Sequence, residues 1–118
     1  MESGSILNIN TIGFADSEIL SYNVKPCCMT LFIKLWNADI LEIKFLDYAA
    51  SLDMGYFRIA EVQEVFESPL LERVLDEYYE IKPKEHNFKV FKFSNSDDTT
   101  ALEVVCEGVS LRKIRKMI

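Results

Sequence analysis

Two consecutive stretches constrain this chain more than any other feature. In residues 28–36, Met29, Leu31, Ile33 and Leu35 alternate with Thr30 and Lys34; in residues 40–46, Leu41, Ile43 and Phe45 alternate with Glu42 and Lys44. A period of two puts all the apolar side chains of each stretch on one face, the pattern of a half-buried strand rather than a helix. Asn37, Ala38 and Asp39 form a connection of hairpin length, though without the glycine that would fix the turn type. Lys34 and Glu42 have opposite signs on the polar faces and suit cross-strand pairing. Phe32 and Trp36 are the anomalies of that polar face.

The rest of the chain extends this antiparallel theme. In residues 18–24, Leu20, Tyr22 and Val24 share one face and Ser21 and Asn23 the other, until Pro26 interrupts. Residues 56–66 carry a strand period (Phe57, Ile59, Gln63, Val65) and also a helical one (Ile59, Val62, Phe66); strand is the reading adopted. A second hairpin spans residues 87–93 and 101–106 across a polar loop. In its first arm Phe88 and Val90 oppose Phe91 and Phe93, so that strand is buried on both sides or bulged. Residues 109–118 fit either a strand or a last helical turn.

One helix stands out. Ser68 can cap open N–H groups, Pro69 presets φ at the first helical position, and Leu70, Leu71, Val74, Leu75, Tyr78 and Tyr79 recur at helical spacing before Lys82 and Pro83 end the pattern. Ile6, Leu7 and Ile9 suggest a short edge strand after a frayed start over residues 1–5. With 118 residues, 49% of them hydrophobic, the chain suits one domain, 1–118, that buries roughly 65% of its unfolded surface without metals or disulfides. The expected class is α+β: a mostly antiparallel sheet, or a partly closed β-sandwich or barrel, with one main amphipathic helix.

Thirteen Lys and Arg against nineteen Asp and Glu give a net charge of −6, which disfavours nucleic acid as a partner. The charge is uneven. Residues 61–80 hold seven acids and one base, Arg73, whereas the last ten residues hold Arg112, Lys113, Arg115 and Lys116 and no acid. Such a field steers basic partners. No apolar run reaches the roughly 18 residues of a spanning helix, so no membrane role is expected. Three cysteines, two of them adjacent, and the lack of an apolar leader suggest a reduced, cytoplasmic protein.

Chemistry finds little support. His86 is the single histidine, set among charged residues before a strand, and is expected to be exposed or locally bonded. Cys27, Cys28 and Cys106 lack the Cys-x-x-Cys spacing of a zinc site and are expected to be thiols behaving as small hydrophobes. The four glycines are too scattered for a phosphate cradle, and no Gly-x-Ser-x-Gly elbow occurs. No catalytic residue, metal or cofactor is assigned. What remains is surface: Phe32 and Trp36 as aromatic anchors, with Glu72, Asp76, Glu77 and Glu80 as the one-signed face of the helix, together a candidate partner-binding surface.

The order of elements adds a resemblance. Leu41 to Phe45 followed by Asp47 and Tyr48, a helix opened by Ser68, His86 before an aromatic strand, and closing Leu102 to Val105 together resemble small uncharacterised bacterial proteins grouped with the immunity proteins of toxin systems, over residues 29–107. The resemblance implies a cytoplasmic protein that neutralises a partner by binding, and no catalytic residue carries over. The leading expectation is a non-catalytic protein-binding domain, an immunity-type inhibitor of a basic toxin domain. The alternative is a small-ligand binding or carrier domain with an aromatic-lined pocket between sheet and helix. Homo-oligomerisation is left open.

Overall fold

The computed structural model describes residue 9 and residues 12–81, 83 and 85–114. The expectations for residues 1–5, for Ile6 and Leu7, and for Arg115 and Lys116 lie outside the described residues.

Every strand pairing is antiparallel. β1 (Ser17–Lys25), β2 (Cys28–Lys34), β3 (Ile40–Leu46), β4 (Ala50–Asp53), β5 (Arg58–Ile59) and β6 (Glu61–Val65) precede the helix α1 (Pro69–Tyr78), and β7 (Lys89–Ser94), β8 (Thr100–Cys106) and β9 (Gly108–Ile114) follow it. They form a five-stranded sheet of order β5-β1-β2-β3-β9 and a four-stranded sheet of order β4-β8-β7-β6. This is the expected antiparallel α+β arrangement, with a helix of only 10 residues. The two ambiguous segments resolve to strand, residues 56–66 as two short strands, β5 and β6, and residues 109–114 as part of β9.

Alternation decides which side chains meet. Met29, Leu31 and Ile33 from β2 and Leu41, Ile43 and Phe45 from β3 face Phe91, Phe93, Leu102, Val104 and Cys106 of the other sheet in one shared core. Phe45 packs edge-on against Phe93 with centroids 6.1 Å apart, a favoured aromatic geometry. The opposite face of β7 and β8 presents Val90 and Val105 to Leu71, Val74 and Leu75 of α1. β7 is therefore buried on both faces, the first of the two alternatives its aromatics allowed. The Ser68 hydroxyl accepts the Leu71 N–H at 3.0 Å and caps the helix as its position suggests.

The two sheets are tied by a bent ribbon. β3 pairs with β9 from Ile40 opposite Ile114 to Leu46 opposite Gly108, and β4 pairs with β8 from Ala50 opposite Val105 to Asp53 opposite Leu102. Both strands of the ribbon change sheets at the same corner, where the register slips by one residue and Asp47 takes φ 52°. Glu107 N–H donates to Leu46 O at 3.0 Å and Ala49 N–H to Val105 O at 2.9 Å, so backbone bonding continues around the bend.

Turn chemistry explains the missing glycine. In the β2–β3 turn Ala38 N–H donates to Leu35 O and Leu35 N–H to Asp39 O, with Ala38 at φ 72°. The β7–β8 turn repeats the pattern with Asp98, Asn95 and Thr99, and Asp98 is at φ 62°. Both are type I turns closed by a left-handed residue, a position that glycine usually fills. The register sets Lys34 opposite Ile40 and Glu42 opposite Phe32, so the expected Lys34–Glu42 pair does not form. Instead Glu42 accepts from Arg112 of β9 at 3.2 Å, and Lys34 lies 3.9 Å from Glu18 of β1.

Candidate functional site

The aromatic and acidic residues singled out in the sequence fall into two groups. Phe32 lies half-buried on the outer face of the five-stranded sheet, between Ser21 and Glu42. Trp36 sits in the β2–β3 turn, 72% exposed, beside a hollow lined by Asp16, Ser17, Glu18, Lys34 and Arg58. Glu72, Asp76, Glu77 and Glu80 are exposed along and just beyond α1, which covers the outer face of the other sheet. Two sheets separate Phe32 from the helix. The structure therefore does not gather the six residues into one surface.

The acidic helix has other aromatic company. Tyr78 and Tyr79, apolar-face positions in the helical pattern, are exposed because the helix stops at Tyr78 and Tyr79 is its extended C-cap. Tyr78 stacks edge-on to Phe88 at 5.3 Å, and His86 lies 6.1 Å from the same ring. Phe66, 80% exposed at the end of β6, lines a broad groove with His86 and Phe88. The groove's charged walls are Asp47, Glu64 and Glu107 against Lys89. A second hollow, lined by Tyr79, Glu85, His86 and Asn87, meets it at His86. Phe66, Tyr78, Tyr79 and the carboxylates around them thus make one acidic, aromatic surface continuous with the end of the helix.

Burial separates Phe66 and Tyr78 from ordinary core aromatics, and no sequence period reveals it. The weak signals present were Phe66 falling outside the strand period of residues 56–66, in their helical one, and Tyr78 lying in the last turn. The helix also carries Asp76 and Glu77 in its last turn and no base there. Negative charge at a helix C-terminus opposes the macrodipole and costs a few tenths of a kcal/mol per charge.

His86 Nδ1 accepts the Phe88 N–H at 3.2 Å, a local bond that leaves Nε2 as the nitrogen directed elsewhere. The groove thus has one imidazole and three carboxylates in its lining, residues that sequence order alone had not joined. Among the described residues no three His, Cys, Asp or Glu side chains stand in a metal-holding group. Of the thiols, Cys106 is buried as expected, and burial pushes it up to about 12; Cys27 is exposed, contrary to the expectation of buried thiols, and Cys28 is half-buried.

The space between α1 and its sheet, where an aromatic-lined pocket was expected in the alternative reading, is filled by Leu71, Val74 and Leu75 against Phe88, Val90 and Val105. A cleft of about 460 Å³ lies elsewhere, lined by Tyr56, Phe57, Arg58, Asn95 and Ser17 among others. Ser17 is buried there with its Oγ unpartnered. No helix among the described residues is long and apolar enough to cross a membrane. In comparison with known proteins, no family model matches the chain, and no curated protein or solved structure matches it.

Proposed function

We propose that this protein is a non-catalytic protein-binding domain that captures a basic partner, in the manner of an immunity-type inhibitor of a toxin domain. The observation that carries this reading is the meeting of exposed Phe66 and Tyr78 with a field of carboxylates: Asp47, Glu64 and Glu107 in the groove, and Glu77 and Glu80 at the end of the helix. Aromatic anchors set among charges mainly of one sign, here with Lys89 as the base of the groove wall, are what a steered protein interface contains. The carboxylates accelerate encounter with a basic surface, and the rings hold it once water is excluded. Phe32 and Trp36 then lie outside the contact.

The test is recovery of partners from the native cell with the wild type, a Phe66→Ala variant and a Glu77→Lys/Glu80→Lys variant. The reading expects a basic partner whose capture weakens with salt and drops at least tenfold in both variants while the circular dichroism spectrum is unchanged. Capture of a partner that is indifferent to both variants rejects this surface.

One observation favours a second reading, a small-ligand carrier: the cleft by Tyr56 and Phe57 has the volume of an ordinary small-molecule site. Stabilisation by a small aromatic compound in a thermal-shift screen, abolished by Phe57→Ala, would support that reading over the first.

A further inference from the structure

The geometry points to a site for a zwitterionic small molecule, an α-amino acid with an aromatic side chain, in the cleft of about 460 Å³ lined by residues 55–60, the β7–β8 turn and the start of β1. The inference rests on the second reading above, a small-ligand carrier, and names the ligand class of that cleft. Tyr56, Phe57 and the buried Ile59 supply apolar wall. Arg58, Asp16 and Asp97, all exposed, supply charge of both signs. Such a mixture of apolar lining with a few charged groups is the usual make-up of a small-molecule site.

The walls are held in place by backbone bonding. Met54 N–H donates to Ala101 O at 2.9 Å, and Phe57 O accepts the Ile19 N–H at 2.6 Å, so the segment that carries both rings is pinned at its two ends. Between them Gly55, at φ 87°, donates its N–H to Asp53 Oδ1 at 2.8 Å. In the β7–β8 turn Asn95 Oδ1 accepts the N–H groups of Asp97 at 2.9 Å and Thr99 at 3.0 Å, which fixes the backbone under Asp97. Asp16 sits in the turn that Ser17 N–H closes onto Phe14 O at 3.1 Å. A cleft whose walls are set before the ligand arrives loses less entropy on binding.

The ligand class follows from charges left unpaired. Register sets Arg58 opposite Glu18, yet Glu18 lies 3.9 Å from Lys34, and among the described residues no carboxylate comes within 4.0 Å of the Arg58 guanidinium. The Asp16 and Asp97 carboxylates have no side-chain partner among those residues either. Both signs thus stand in one cleft without neutralising each other, which suits a molecule that carries a carboxylate and an ammonium on one carbon. The guanidinium takes the carboxylate as a charge-assisted fork, and the aspartates take the ammonium. An aryl acid meets the repulsion of the aspartates, and an aryl amine that of the arginine, so each single-charged analogue is discriminated against. Ser17 is an independent sign of a missing polar group. It is buried in the cleft wall with its Oγ unpartnered, whereas buried hydroxyls are normally hydrogen-bonded, and the polar head of the ligand completes it.

The probes are L-phenylalanine, its N-acetyl derivative, which lacks the ammonium, and phenethylamine, which lacks the carboxylate. Each is titrated into the full chain while amide NMR shifts are read residue by residue. L-Phenylalanine is expected to give saturable shifts at residues 55–59 and 95–97 and to bind about fivefold or more tightly than either analogue. Arg58→Gln is expected to remove its advantage over phenethylamine, and Asp16→Asn with Asp97→Asn its advantage over the N-acetyl derivative, with the amide spectrum elsewhere confirming that the variants fold. Equal affinity for the three probes, or an advantage that survives the charge variants, overturns the proposal and leaves a carrier cleft that reads only the ring. Silence of all three up to millimolar concentration overturns the carrier reading with it. None of these residues belongs to the acidic surface, so the protein-binding reading stands in either case.

Discussion

The Tyr22 hydroxyl donates a 2.7 Å hydrogen bond to Asp53 Oδ2, joining β1 of one sheet to β4 of the other at the open side of the core. The bond holds the Asp53 carboxyl below its ordinary 3.8, helped by the Gly55 N–H, and it raises the Tyr22 hydroxyl above 10.0 together with burial and the Asp53 charge. The lowered carboxyl contributes stability that is complete above pH 3.8 and fades as pH falls through its folded-state value. The raised phenol contributes stability that is complete below pH 10.0 and fades as pH rises through its own. Tyr22→Phe is therefore expected to cost about 0.5–1 kcal/mol between those limits, the size of one solvent-accessible hydrogen bond, and progressively less outside them. Urea denaturation of both proteins across pH checks this; a difference that is flat with pH contradicts it.

Ala38 at φ 72° occupies a left-handed position that costs a side-chain-bearing residue about 1–2 kcal/mol. Glycine removes that cost but adds freedom to the unfolded chain, so Ala38→Gly is expected to stabilise by about 0.5–1 kcal/mol. Equilibrium unfolding measures it, and a destabilised variant would mean that the Ala38 methyl packs more favourably than the turn is strained.

Thiol reactivity should divide the three cysteines. With its thiol pushed up to about 12, Cys106 has a thiolate fraction of about 10⁻⁴ at pH 8 and no exposed surface, whereas Cys27 is exposed. Timed alkylation read by mass spectrometry is expected to modify Cys27 quickly and Cys106 only after denaturant is added. Comparable rates at the two sites would show that the core opens readily.

Glu77→Lys should move stability and binding in opposite directions. A base in the last turn of α1 complements the helix dipole and is expected to add about 0.3–1 kcal/mol. The same change removes a carboxylate from the acidic surface and is expected to slow association with a basic partner, most strongly at low salt. A variant both more stable and equally fast to bind would remove Glu77 from that surface.

Much of the fold was legible where local chemistry and tertiary packing agree. The alternation of Met29, Leu31 and Ile33 named the buried face of β2, and Ser68 with Pro69 named the start of α1. The pairing of Glu42 with Arg112 was not legible, because it joins strands about seventy residues apart and depends on register that no local pattern sets. The surface was read less well for a related reason. Phe32 breaks its strand's alternation and so draws notice, whereas Phe66 and Tyr78 fit periodic patterns and are exposed only because the helix ends and the sheet runs out beneath them.

The bent ribbon also dictates an order of assembly. The 28–46 hairpin is complete early in synthesis, yet β9 can join it, and β8 can close over its apolar face, only after residues 100–114 have emerged. Until then Leu31, Ile43 and Phe45 have no lid, and the nascent chain is at its most adhesive. Chaperone occupancy on the ribosome should peak in that interval.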